Sequence, residues 1–165
     1  MSTISRISEL EKLGKLLRFC PNMKIYEGEV RKISILPSLN DWLFDNDNVK
    51  YKALVRAHLK EFVIGARVDD TKFMKQLEPF SKRVWEISPR FNPQHRIFGV
   101  FAEKDWFIAT HQQERKKCDT QEKWEREINH TLRNWGRLFG STKPLSGADF
   151  SNFVYNGVRN DKRKK

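Results

Sequence analysis

Apolar residues recur at helical spacing near the start of this 165-residue chain. They fall three or four positions apart, namely at Ile4, Ile7, Leu10, Leu13 and Leu17. This spacing predicts an amphipathic helix over residues 3–19, which must end before Pro21 because proline cannot continue a helix. The apolar stripe either packs on the rest of the chain or binds a partner, and packing is its commoner use.

Four further helices are predicted downstream, and the first of them is expected to begin at a Ser38 cap, with Asp41 at its third position. An almost continuous apolar face predicts one over residues 49–64, which Gly65 ends. A shorter helix is predicted over residues 71–77, between a capping aspartate and Pro79. A long helix is predicted over residues 120–139, and its inner face consists of Trp124, Ile128, Thr131, Trp135 and Leu138.

Short runs of apolar and β-branched residues predict the strands. The first strand lies within residues 24–35, and another covers residues 84–87. Residues 96–102 and 106–111 form two more runs separated by only three polar residues, which is the pattern of a β-hairpin. We therefore expect an α+β domain, with helices packed on a small and mainly antiparallel sheet.

The hairpin is expected to bring cations from three segments to one end of the sheet. Alternation along its first strand puts Arg96 on the same face as Phe98. Arg90 shortly precedes this strand. The return strand carries His111 back to the same end, and residues 115–117 are all basic.

Such a cluster suits ribonuclease chemistry without a metal. The attacking ribose 2′-hydroxyl must lose a proton, the phosphorane-like transition state needs positive donors, and the departing 5′-oxygen must gain a proton. Arginine binds two phosphate oxygens at once, and histidine titrates near neutral pH. The candidate catalytic residues are Arg90, Arg96, His111, Arg115 and Lys116. The alternative is that these cations are only solvated, which is the usual state of such side chains.

Basic residues also recur along an outer face of the long C-terminal helix. With His130 they form a stripe about four turns long, spaced three and four residues apart. The candidate RNA-binding residues are Lys117, Lys123, Arg126, Arg133 and Arg137. A solvated helix face is again the alternative, because charges of both signs lie on this helix.

Composition favours an acidic partner. The chain has 32 Lys and Arg against 21 Asp and Glu, a net charge of +11 and an isoelectric point of about 9.8. Nucleic acid is the first candidate, an acidic protein the second and an anionic membrane surface the third. No run is apolar enough for a membrane span or a signal peptide, so a cytoplasmic location is expected. Cys20 and Cys118 are expected to be free thiols, and neither a metal site nor a cofactor is predicted.

A series of short motifs resembles one family of bacterial toxins. The series is Ser38 with Asp41-Trp42-Leu43, then Trp85-Glu86-Ile87, Arg90, Gln94-His95-Arg96-Ile97-Phe98, Thr110-His111, Arg115-Lys116 and Glu127-Ile128. It is similar to the HigB and RelE type, particularly the phage-derived, HigB-like branch, over about residues 23–138. Three positions depart from that branch: Ser88 replaces a frequent arginine, Gln113 a phenylalanine, and Cys118-Asp119 a threonine-containing turn.

The resemblance implies a toxin-like domain over residues 23–140, consisting of a small sheet with two packed helices. Residues 1–22 would then be an N-terminal helix extension, and residues 141–165 a C-terminal extension with a basic tail. It also implies a type II toxin that cleaves mRNA on the ribosome and is neutralised by a cognate antitoxin, expected to be a helix-turn-helix protein. Arg90 and Arg96 would match the family's strand arginines, His111 its strand-end histidine, and Arg115 with Lys116 its Lys-Lys pair.

Two other functions draw on the same residue types. One is a noncatalytic RNA- or ribosome-binding protein on the same fold, and the other is a phage-type interaction module with an acidic protein partner. The basic residues at 162–165 would add only nonspecific attraction to RNA, and self-association stays open. Growth inhibition on induced expression separates the enzyme from the other two.

Overall fold

The computed structural model describes residues 1–158, and this part of the chain forms four helices and eight strands. The helices are α1 (Thr3–Lys12), α2 (Pro37–Phe44), α3 (Val49–Val63) and α4 (Gln121–Phe139). The strands are β1 (Leu17–Arg18), β2 (Lys32–Ile35), β3 (Val68–Asp69), β4 (Met74–Gln76), β5 (Trp85–Ile87), β6 (His95–Glu103), β7 (Trp106–Glu114) and β8 (Gly157–Val158). The predicted basic tail at residues 162–165 lies outside the described residues.

Six of these strands form one sheet, in the order β1-β2-β7-β6-β5-β4. Neighbouring strands are antiparallel except for β2 and β7, which run parallel. β3 and β8 form a separate parallel pair. The described part is therefore an α+β protein with a mainly antiparallel sheet, in agreement with the sequence pattern.

The β6–β7 hairpin forms where the alternating pattern predicts it. Asp105 occupies its tight turn with a φ of 63°, in the left-handed region that aspartate tolerates better than most residues. Ile97 and Phe101 belong to one core, whereas Phe98 and Val100 belong to the other. Arg96 thus lies on the face of Phe98, as predicted, and this face carries the cations.

One face of the sheet packs against α2 and α3. Apolar residues of β2, β6 and β7 meet the inner sides of these helices in a core that includes Ile33, Ile97, Phe107, Leu39 and Phe62. Phe150 and Phe153, near the end of the described chain, pack on Trp85 at the β5 side of the same core. This face is filled mainly by apolar side chains.

The second face packs against α1 and α4. Ile7 and Leu10 of α1 are fully buried there, together with Leu16 just beyond the helix. Leu13 points away and is 59% exposed. The N-terminal helix therefore packs on the sheet of its own chain, which is the commoner use of an apolar stripe.

Two predicted helices differ in the structure. The first ends at Lys12 rather than at residue 19, because Gly14 takes a left-handed φ of 68° and the chain then enters β1. No helix forms over residues 71–77, where β4 pairs with β5 instead. The Asp69 carboxylate accepts hydrogen bonds from the backbone N–H groups of residues 71–73 and so forms a turn at the predicted helix start.

His58 of α3 makes the stability of this fold depend on pH. Its ring stacks on Phe73 with centroids 4.1 Å apart, and its Nε2 is buried without a hydrogen-bond partner. Burial lowers the pKa of His58 from 6.5 to about 4, against a smaller opposing effect of the Phe73 backbone. Because the unfolded chain binds this proton at higher pH, we expect stability to fall as pH is lowered from 6.5 towards 4, by about 3 kcal/mol in all.

Chemical denaturation of the parent and of His58→Phe across this pH range measures the effect. The phenylalanine keeps a ring against Phe73 and removes the titrating group. The difference in unfolding free energy between the two proteins should therefore change with pH by the amount given above. A constant difference from pH 7 to pH 4 would contradict the role assigned to His58.

Candidate nucleic-acid interface

Three arginines line one cavity of about 490 Å³ between the end of the sheet and the start of α4. Arg90 follows β5, Arg96 is the second residue of β6, and Arg115 comes directly after β7. The backbone N–H of Arg115 donates to the carbonyl oxygen of Gln94 at 2.9 Å, which holds the two hairpin ends together. The structure thus brings together the three arginines that the hairpin pattern predicts to converge.

Arg96 is the best fixed of the three. Its side chain is 9% exposed, its Nη1 donates to the backbone oxygen of His95 at 3.2 Å, and its Nε lies 3.9 Å from an oxygen of Glu86. Burial lowers the pKa of Arg96, the charge of Glu86 raises it, and Arg115 and Arg90 lower it further. This guanidinium is therefore a positive charge held in place within a cavity of mostly like charge.

Glu86 is the acidic group at the buried side of this cavity. It is 6% exposed, and its Oε2 has no hydrogen-bond partner. Burial raises the pKa of Glu86, although the charges of Arg96, Lys75, Arg115 and Arg90 act to lower it. A carboxylate in such a position is ready to accept a proton.

Neither Glu86 nor Lys75 belongs to a catalytic pattern in the sequence. Strand pairing places Lys75 opposite Glu86, and Glu86 opposite Phe98, so the three share a row across the sheet. Arg96 is two residues from Phe98 and lies on the same face. The sequence did contain one signal of this pairing. Glu86 is an acidic residue between the apolar Trp85 and Ile87 of a short strand, and a buried charge requires a partner.

His111 ends the same row of side chains but does not line the cavity. It is paired with Phe98, which separates it from Glu86 and stacks on its ring with centroids 5.0 Å apart. Its Nε2 lies 2.6 Å from an oxygen of Glu127, and its side chain is 12% exposed. In this structure His111 is directed towards α4 and away from the three arginines.

Lys116 and Lys117 also point away from the cavity. Both belong to the 3₁₀ turn Arg115–Lys117 that follows β7. The Lys116 side chain is 81% exposed and lies 3.3 Å from an oxygen of Glu114. Lys117 lines a different cavity of about 290 Å³.

The basic stripe of α4 faces solvent. Arg126, Arg133 and Arg137 are exposed and form no salt bridge with any described residue. Lys123 contacts the Asp119 carboxylate at 2.8 Å one turn earlier. The opposite side of α4 contributes Trp124 and Ile128 to the arginine cavity. The stripe and the cavity are therefore on different sides of one helix.

The two cysteines are free, as predicted. Cys20 is exposed and Cys118 is buried near the start of α4. Burial raises the pKa of Cys118 to about 11, and the charges of Glu127 and Glu86 act in the same direction. This thiol stays protonated near neutral pH, and so it is not a nucleophile of the cavity.

Comparison of the chain with models of protein families, with curated proteins and with solved structures finds no match. Among the described residues, every helix is too short or too polar to cross a membrane. The function is therefore inferred from the residues around the cavity, their charges and their burial.

Proposed function

We propose that this protein is a toxin-like endoribonuclease of the HigB and RelE type that cleaves mRNA on the ribosome. The observation that carries the proposal is the cavity in which Arg90, Arg96 and Arg115 surround the buried carboxylate of Glu86. Attack of the ribose 2′-hydroxyl on the adjacent phosphorus would form a cyclic phosphate and break the bond from phosphorus to the 5′-oxygen, with no metal at the reacting phosphate. Glu86 would take the proton of the hydroxyl, and water would supply the proton that the departing 5′-oxygen gains.

The charges of the cavity favour a phosphate. Three arginines and Lys75 meet two lining carboxylates, Glu86 and Glu78. A phosphodiester adds one negative charge to this set and offers oxygens that match the planar fork of arginine. The volume of about 490 Å³ is in the range of ligand-binding clefts.

The arginines supply the donors that the transition state requires. Negative charge accumulates on the oxygens of the phosphorane-like species, and donors fixed in advance stabilise it without reorganising. Arg96 is held by its contacts to His95 and Glu86, whereas Arg90 is exposed and donates only a long hydrogen bond of 3.4 Å to the Lys72 carbonyl. In this proposal Arg96 therefore contributes most to stabilising the transition state. Arg90 moves onto the RNA strand when it binds.

Glu86 takes the role of general base in this proposal. Its Oε2 has no hydrogen-bond partner, and burial raises its pKa towards neutrality, where a base is most effective. A bound phosphate would occupy the arginines that now favour its ionised form and would raise the pKa further. We leave His111 outside the reacting set because its ring contacts Glu127 rather than the cavity.

The proposal also draws on the resemblance, with which only the coarse α+β class of the fold is compatible. The resemblance implies a small sheet with two packed helices, and here α2 and α3 cover one face of a mainly antiparallel sheet. The partners implied in the same way are mRNA on the ribosome and a cognate helix-turn-helix antitoxin.

Induced expression in a bacterial host tests the proposal. We expect growth arrest, and we expect purified protein to cleave mRNA on translating ribosomes but not free mRNA. Primer extension locates the cleavage sites. Binding to ribosomes with neither growth arrest nor cleavage would replace the proposal by the noncatalytic RNA-binding function.

The exposed stripe of α4 favours a contribution to RNA binding in either case. Reversing Arg126 and Arg133 to glutamate should weaken ribosome binding and flatten its dependence on salt. Each lost phosphate contact lowers the slope of log K against log salt by roughly 0.9 for a duplex and less for a single strand. Binding measured at several salt concentrations gives the slope.

A matched control separates the stripe from net charge. Lys12 and Lys15 are exposed at the end of α1 and just beyond it, and their reversal to glutamate changes the net charge by the same amount. We expect this control to lower affinity less and to leave the slope close to that of the parent. Equal slopes for the two double variants would show that the stripe is only solvated and does not contact RNA phosphates.

A further inference from the structure

Three metal-ligating side chains meet between β7 and α4, outside the arginine cavity. His111 comes from β7, and Glu127 and His130 lie three residues apart on one side of α4. Each offers one ligand atom, and these atoms lie within 4.8 Å of one another. A glutamate and a histidine at this helical spacing are a recurrent source of metal ligands in helical proteins.

The hydrogen bonds around His111 fix which nitrogen faces the cluster. The Thr110 hydroxyl oxygen lies 3.2 Å from the carbonyl oxygen of Phe98 and 2.9 Å from the Nδ1 of His111; when it donates to Phe98, it accepts from the Nδ1–H of His111. The Nε2 of His111 is thereby directed at the Glu127 carboxylate. A metal-bound histidine is commonly held in this way, with its other ring nitrogen donating to an oxygen.

A proton or a metal ion can hold these groups together. The Nε2 of His111 and an oxygen of Glu127 lie 2.6 Å apart, which is a hydrogen bond when Nε2 carries a proton and a repulsion when both atoms present lone pairs. A proton satisfies this pair alone. A dication satisfies the pair and also the ring of His130, whose centroid lies 4.1 Å from that of His111.

His130 is suited to act as a neutral ligand. Burial lowers its pKa, and a charge on His111 lowers it further, whereas Glu127 raises it. A neutral imidazole is the form that binds metals. Arg133 and Arg137 also act on His130 and oppose a dication, and the buried carboxylate of Glu127 offsets them.

We propose that His111, Glu127 and His130 bind one zinc ion. Two imidazoles and one carboxylate are a zinc donor set, and three protein ligands leave the fourth tetrahedral position to water or another ligand. Two donors 2.0–2.1 Å from a tetrahedral zinc lie about 3.3 Å apart. The His111 Nε2 and the Glu127 oxygen, now 2.6 Å apart, must therefore separate slightly, and the partly exposed ring of His130 must turn inward. The site would join α4 to the sheet and keep His111 away from the arginine cavity. This site goes beyond the proposed nuclease and does not rest on it.

Sequence analysis predicted no metal site. Zinc sites are usually detected by closely spaced cysteines and histidines, and here the first ligand is sixteen residues from the second. The only local signal was the glutamate and histidine of α4, which many helices contain without binding a metal. Packing of α4 against β7 creates the cluster.

Metal titration of the chelator-stripped protein tests the site. We expect isothermal calorimetry to show one zinc per chain, and cobalt(II) to give the intense visible absorption of a tetrahedral complex. His130→Ala and Glu127→Gln should each lower the affinity by at least about tenfold, the smaller of the losses seen even for groups that only orient ligands. Asn129→Ala, an exposed neighbour on the same helix, should bind as the parent does.

Thermal unfolding gives a second readout that does not depend on activity. Zinc should raise the melting temperature of the parent and of Asn129→Ala, because it binds only the folded chain, and should raise that of His130→Ala much less at the same zinc concentration. Metal-free melting temperatures establish that each variant folds. Failure of the parent to bind zinc or cobalt stoichiometrically, or equal zinc affinity in the folded His130→Ala variant, would overturn the proposal.

Discussion

Replacing Arg96 by alanine is expected to abolish growth inhibition and to slow mRNA cleavage on the ribosome by roughly 10²–10³-fold. The reason is that Arg96 is a buried donor held in the cavity before substrate binds, and loss of one such donor costs about this much. Single-turnover cleavage rates measure the loss. Arg96→Lys should recover only part of the rate, because it keeps the charge without the two-pronged donor.

Controls separate chemistry from folding. Arg67→Ala removes the same type of side chain from an exposed position outside the cavity and the stripe, and should leave the cleavage rate within a few-fold of the parent. Arg96→Ala leaves Glu86 without its nearest cation, so the double variant Arg96→Ala/Glu86→Gln should regain stability but not activity. Full toxicity of a folded Arg96→Ala variant would show that Arg96 does not take part in catalysis.

Replacing Leu10 by alanine is expected to lower the free energy of unfolding by about 2–5 kcal/mol, a large share of the stability of a small domain. Leu10 is fully buried between α1, the sheet and α4, and the smaller side chain leaves a cavity. Urea denaturation gives the free energy. Deletion of residues 1–12 should have a still larger effect and yield insoluble protein, because it uncovers one core of the sheet.

Leu13 provides the matched control for this prediction. It lies three residues along the chain but is 59% exposed, so Leu13→Ala should change stability by less than about 0.5 kcal/mol. A small effect of both substitutions, with loss of self-association or of partner binding, would instead make α1 an interaction arm.

The elements that the sequence predicts well are those whose pattern is long and local. The β6–β7 hairpin shows alternation over two runs joined by a three-residue polar turn, and α3 shows an apolar face over four turns. The short strand β4 cannot be predicted from the sequence pattern, because three residues are too few to show a periodicity. Its form depends on the Asp69 turn before it and on pairing with β5.

The candidate site could likewise be predicted only where a local sequence pattern places its residues. The three arginines lie at strand ends; the hairpin brings Arg96 and Arg115 together, and pairing of β5 with β6 adds Arg90. Glu86 and Lys75 take their places only when β4 and β5 pair in register, which no local pattern encodes. The direction of His111 depends on how α4 packs over the sheet, since Glu127 and His130 hold its ring.

The parallel pair of β2 and β7 has a consequence for the order in which the chain folds. It joins residues 32–35 to residues 106–109, so the whole of the chain between them must close into a loop before this contact forms. Strands β4 to β7 connect neighbours along the chain and need only short loops. The central meander can therefore assemble early, while β2 and the edge strand β1 that pairs with it join the sheet late and limit the folding rate.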